Sequence, residues 1–126
     1  MVQQSAEDSL RLARAHLARV QAASWDPTDW ADLSSYGLYC LEACIVAAAL
    51  HLGQPRPRSH FAKAETAESL SLEHGLPDIG DLLIDLNNMR KHQAYGDTPA
   101  PVGMDPEDTA SMIETYVDLV QGLLAQ

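Results

Sequence analysis

Stretches whose apolar residues recur every three or four positions alternate along this chain with short breaks rich in glycine and proline, the pattern of helices joined by turns. Leu10, Ala13, Leu17 and Val20 make the first apolar stripe, beside Arg11, Arg14 and Arg19. Ser5, with Asp8 three residues on, predicts the start of this helix as a capping box in which aspartate replaces the usual glutamate. Asp26-Pro27-Thr28-Asp29 offers an N-cap oxygen, a proline for the first helical position and an acid for the first turn. A second helix is predicted from there to Leu52, ended by Gly53 and a loop with Pro55 and Pro57. Ser59 predicts the cap of a third helix reaching Glu73, and Gly75 and Pro77 separate it from a fourth, Asp78 to Tyr95. Residues 96–103, with two prolines and two glycines, read as a loop. Asp105-Pro106-Glu107-Asp108 repeats the start signal, and Met112, Ile113, Tyr116, Leu119, Val120 and Leu123 give the last helix its stripe. No strand pattern or internal repeat is visible, so the expected architecture is one all-α domain over residues 1–126, an up-and-down bundle of five helices.

The second helix carries apolar residues all round. At about 100° per residue, Cys40, Cys44, Ala47 and His51 share one side, and Leu38, Glu42, Ile45, Ala49 and Leu52 the other. Such a helix is expected at the centre, surrounded by its neighbours or by a second subunit. Residues 36–52 include Glu42 and His51 and fall short of the clean apolar run, about 20 residues, that spans a membrane. Glu42 is the anomaly, because a carboxylate in an apolar wall must be paired, hydrogen-bonded or protonated. It is expected either to reach water or an arginine, or to sit in a polar pocket opposite Arg90. Cys40 and Cys44, four apart on one helix, point the same way and cannot easily form a disulfide. With His51 they offer three metal-type ligands, but all on one helix and without the loop-borne ligands of structural zinc sites, so packing is expected and no metal.

Charge narrows the function classes. Among 126 residues, 8 Lys+Arg stand against 18 Asp+Glu, a formal charge of −10. Non-specific binding to nucleic acid or to an anionic membrane needs clustered basic residues and is not expected. The acids are uneven: residues 1–58 hold 5 basic and 6 acidic groups, and residues 59–126 hold 3 and 12. The opening residues lack the basic and apolar regions of a signal peptide, and two reduced core cysteines fit a cytoplasmic protein. Phosphate-binding glycine loops and the common hydrolase and zinc motifs are missing, and no cofactor is implied.

The candidate chemistry concentrates in residues 86–97, Leu-Asn-Asn-Met-Arg-Lys-His-Gln-Ala-Tyr-Gly-Asp. Arg90 falls on the apolar side of its helix with Ile79, Leu83, Leu86 and Ala94. Its guanidinium keeps its charge, so it needs a carboxylate, carbonyls or an anionic ligand. Asp81, Asp85, Asn88 and His92 form a second stripe that suits a hard metal or acid–base work, and equally a solvated face. Trp30, Tyr36 and Tyr39 offer stacking surface or core packing. His16, His51, His60 and His74 are scattered and expected at the surface or in packing.

Three segments together resemble the HEPN superfamily. Residues 35–53 resemble that family's long second helix ending in glycine, residues 60–67 the start of the next helix, and residues 86–97 its arginine segment. The resemblance implies an all-α bundle, a homodimer and a functional arginine at Arg90. Ribonuclease members carry a histidine a few residues beyond that arginine, and two subunits build a composite RNA-cleaving site. In this chain the position after four intervening residues is Tyr95, while His92 follows Arg90 by two and points about 200° away on a continuing helix. Tyrosine, with a pKa of about 10, is a poor general base at neutral pH. Lys91 also takes the place of the polar residue that commonly follows the arginine.

The resemblance therefore implies a non-catalytic, dimeric binding module. Arg90, Tyr95 and Glu42 would hold a nucleotide-like or other anionic ligand, or a partner protein. A nucleotidyltransferase-like partner of the toxin–antitoxin kind is the associated expectation. The alternatives are a metal-independent ribonuclease using Arg90 with His92 or Tyr95, and a purely structural bundle.

Overall fold

The computed structural model describes residues 5–126, which form five helices and, among those residues, no strand. They are α1 (Ala6–Ala23), α2 (Trp30–His51), α3 (His60–His74), α4 (Gly80–Tyr95) and α5 (Pro106–Leu124). The all-α bundle expected from periodicity is the observed fold. The capping chemistry holds at three starts. Ser5 and Asp8 exchange side-chain and backbone hydrogen bonds at 3.1 and 3.3 Å, Ser59 Oγ accepts from Ala62 N, and Asp105 accepts from Asp108 N with Pro106 opening the helix.

The start of α2 lies one turn later than predicted. Asp29, not Asp26, is the N-cap, its carboxylate accepting from Asp32 N at 3.0 Å. Asp26–Pro27 is a cis peptide in the preceding turn, and Asp29 N–H donates back to the Ala23 carbonyl at 2.9 Å. The same cap chemistry was available at both aspartates, and the tight return from α1 selected the second.

All four other helices pack on α2. Its wall toward α1 is built of small side chains, and the backbones approach closely enough for Cys40 Sγ to donate to the Ala13 carbonyl at 3.2 Å. Gly37 marks another close approach: a Cβ there would lie 3.0 Å from Ile113 Cδ1 and 3.3 Å from Leu86 Cδ2. α5 returns to α1 and α2 instead of lying against α4, which packs on α2 and α3. Within the α5 stripe, Ile113, Tyr116 and Val120 are buried as expected, but Met112 and Leu119 face outward and Val117 takes an inner position. By length and composition the 22-residue α2 suffices to cross a membrane, with a mean hydropathy of 1.6, yet 78% of that window is buried in the bundle.

Candidate functional site

Glu42 is the one buried charged residue among those described, 7% exposed on the side of α2 that faces α3. Its partners come from the first turn of α3. Oε2 is hydrogen-bonded to His60 Nδ1, and Oε1 lies 3.8 Å from Lys63 Nζ. A carboxylate oxygen only accepts, so Nδ1 of His60 carries the proton of this hydrogen bond. His60 and Lys63 are three apart and share a helix face. The carboxylate also sits by a helix N-terminus, where the exposed backbone N–H groups favour negative charge. Of the two alternatives expected for Glu42, the one with Arg90 as its partner is not seen among the described residues: α3 supplies His60 and Lys63 instead.

These residues help line a groove of about 450 Å³ between α2, α3 and α4. Leu38, Ala64 and Leu83 form apolar wall, and Phe61 and Ile84 stand at the rim, 73% and 58% exposed. Glu65, Glu68 and Asp78 add carboxylates, and Asn87 closes the α4 side. Glu42 and Lys63 also border a smaller pocket of about 180 Å³ toward α1, shared with Ser9, His16 and Tyr39.

Arg90 lies outside the groove lining but touches it through one residue. It is half-buried, and its Nη2 donates to Asn87 Oδ1 at 2.7 Å, while its buried Nε has no acceptor among the described residues. The prediction that Arg90 would be drawn into the apolar side is met in part, with an amide and not a carboxylate as its partner. His92 is held elsewhere, its Nδ1–H donating to the Thr98 carbonyl at 2.8 Å. Tyr95 is 71% exposed at the end of α4. No hydrogen bond among the described residues joins Arg90, His92 and Tyr95 to one another or to Glu42.

The other candidates fall out as follows. Asp81 is exposed, and Asp85 and Asn88 are half-buried. Among the described residues no three His, Cys, Asp or Glu side chains are placed to hold a metal ion. Cys40 and Cys44 are buried free thiols, and the Cys44 thiol is pushed up from its ordinary range by its hydrogen bond with Cys40 and by burial. Tyr36 and Tyr39 pack with His16, ring centroids 5.7 and 5.9 Å away, and the Arg19 guanidinium lies 5.0 Å above the Tyr36 ring. Trp30 is half-buried against the core.

Sequence reasoning passed over Phe61, Lys63, Ile84 and Asn87, and expected His60 only at the surface or in packing. Two signals were present. Phe61 is the chain's one phenylalanine, placed in the first turn of an otherwise polar helix. Asn87 precedes Arg90 by three, the spacing at which helical side chains meet.

The fold and site define a class: an all-α bundle with an open groove lined by both apolar and charged side chains. No protein-family model, curated protein or solved structure matches the chain.

Proposed function

We propose that this chain is a HEPN-like, non-catalytic binding module whose α2–α3–α4 groove holds a segment of a partner protein. The observation that carries this reading is the groove itself, with Phe61 and Ile84 left 73% and 58% exposed above a buried carboxylate. Exposed apolar side chains around a concave site gain by being covered, at roughly 25 cal/mol per Å² removed from water. Of the ligands weighed from sequence, an anion is disfavoured here, because Glu42, Glu65, Glu68 and Asp78 line the groove against Lys63 and His60. Arg90 acts as a positioning residue: it holds the Asn87 amide at the α4 wall, leaving the amide N–H groups as donors.

The non-catalytic half rests on the dispersal of the ribonuclease candidates. The His92 Nδ1 proton is committed to a backbone carbonyl, and Tyr95 points to solvent at the helix end. A homodimer, a nucleotidyltransferase-like partner and a cytoplasmic location are further parts of the proposal; the family resemblance supports the first two, and the buried free thiols of Cys40 and Cys44 support the third.

The test places a photoreactive phenylalanine analogue at position 61 in the protein's native cells, with the same analogue at the fully exposed Val102 as control. The expected result is a discrete protein adduct from position 61, lost when Ile84→Asp is added and absent from position 102. No adduct at position 61, or an adduct containing RNA, overturns the reading. RNA cleavage by the purified protein that disappears in Arg90→Ala would move the assignment to the ribonuclease alternative.

A further inference from the structure

The chemistry of the groove narrows its occupant further, an inference that rests on the binding-module reading above. We propose that the groove takes a basic amphipathic segment, its apolar side chains seated between Phe61 and Ile84 and its Lys or Arg side chains set against Glu65 and Glu68.

Two kinds of surface meet at this rim. Phe61 of α3 and Ile84 of α4 both line the groove, with Leu38, Ala64 and Leu83. A cavity of about 450 Å³ has room for one or two large apolar side chains, the anchors by which an amphipathic helix enters a groove. The charges of the lining are not equivalent. Glu42 is already matched by His60 and Lys63, and Asp78 accepts from Gly80 N at 3.0 Å. Glu65 and Glu68 are exposed and have no cation partner among the described residues. They are three apart on α3, so both carboxylates border the same side of the groove.

Charge then separates the possible occupants. A second copy would bring its own formal charge of −10 and set like carboxylates against each other. A nucleic acid would bring phosphates to the same rim. A cationic segment reverses both signs, and its contacts lie within the screening length of about 8 Å at physiological salt.

The experiment uses the purified chain and fluorescence anisotropy with three labelled peptides. One is an amphipathic helix with leucine and phenylalanine anchors and lysines on the flanks. The second has those lysines replaced by glutamine, and the third is a scramble of the first. The basic peptide is expected to bind at least tenfold more tightly than the other two. Glu65→Gln combined with Glu68→Gln is expected to weaken it about three- to tenfold, the size of two exposed ion pairs, and added salt to weaken it further. Ile84→Asp is expected to abolish the apolar contribution while circular dichroism reports an intact bundle. Equal binding of the glutamine peptide, or no effect of the double carboxylate variant, overturns the inference. So does failure of every peptide, binding of a short single-stranded RNA in their place, or self-association that Ile84→Asp removes. A position-61 protein adduct alongside any of these failures leaves the binding-module reading standing, whereas loss of that adduct removes both.

Discussion

The two sides of α2 are built differently. Toward α1 and α5 the chain closes more fully: α1 buries six residues from Ala6 to Ala23, and α5 buries Thr109, Ala110, Ile113, Tyr116, Val117 and Val120. Toward α3 and α4 it closes thinly. α3 buries only Ala67 and Leu70, and α4 only Leu83, Leu86 and Met89. Two apolar residues three apart hold a helix along a single turn, and Glu42 adds a polar clamp at the N-terminal end. The first side carries the stability of the fold. The second is left unfilled, and the groove is what the incomplete packing leaves behind.

The sharpest way to break this comparison is to make the same substitution on both sides. Ile113→Ala removes a fully buried side chain beside Gly37 and is expected to cost about 2–5 kcal/mol through lost burial and a cavity. Ile84→Ala, at a side chain 58% exposed, is expected to stay within about 0.5 kcal/mol. Urea unfolding of the two variants measures both values. Losses of similar size would mean that the groove rim is structural, and the functional division of the bundle would fail with it.

How far the chain disclosed itself depends on the range of the interaction. Caps are local, and Ser5 with Asp8, Ser59, and Asp105 with Pro106 were legible because donor, acceptor and signal lie within four residues. Asp26 misled because Asp29 offers the same oxygen one turn later, and only the return from α1 distinguishes them. Glu42 was visible as an anomaly in an apolar helix, but its partners lie 18 or more residues away on a helix with no clear apolar stripe. Pattern can flag a buried carboxylate and cannot say which helix crosses it. Arg90 sits between these cases: its flanks predicted partial burial, and its Asn87 partner was within reach of simple spacing. The groove was not legible at all, because it arises from what α3 fails to bury.

A smaller effect probes the closed side from within. Tyr116 is fully buried, and its hydroxyl has no hydrogen-bond partner among the described residues. Burial, with the Cys44 thiol beside it, holds that hydroxyl protonated far above the ordinary tyrosine range. Leaving such a group unpaired costs roughly 1–3 kcal/mol, so Tyr116→Phe is expected to raise stability by about 1 kcal/mol. Thermal and chemical unfolding both read this change. A loss instead would reveal a buried partner for the hydroxyl, such as an enclosed water, and would make the closed side less dry than its side chains suggest.

The smallest expected effect lies at the edge of the closed side, where His16 packs against the rings of Tyr36 and Tyr39. Burial, with the nearby Arg19 charge, lowers its pKa from the ordinary value of 6.5. The unfolded chain therefore binds this proton more readily than the folded one. Above the unfolded value both states are neutral at His16 and stability is unaffected; as pH falls below 6.5 the folded state loses ground, until the folded group also protonates. NMR titration of the ring should give a midpoint below 6.5, and the stability lost between pH 7.5 and 5 should be smaller in His16→Asn than in the parent chain. The difference between the two chains isolates this residue from the carboxylates that titrate lower. A midpoint at or above 6.5 would show that the ring is as open to water as the groove rim, and that the boundary between the two sides runs on the α2 side of His16.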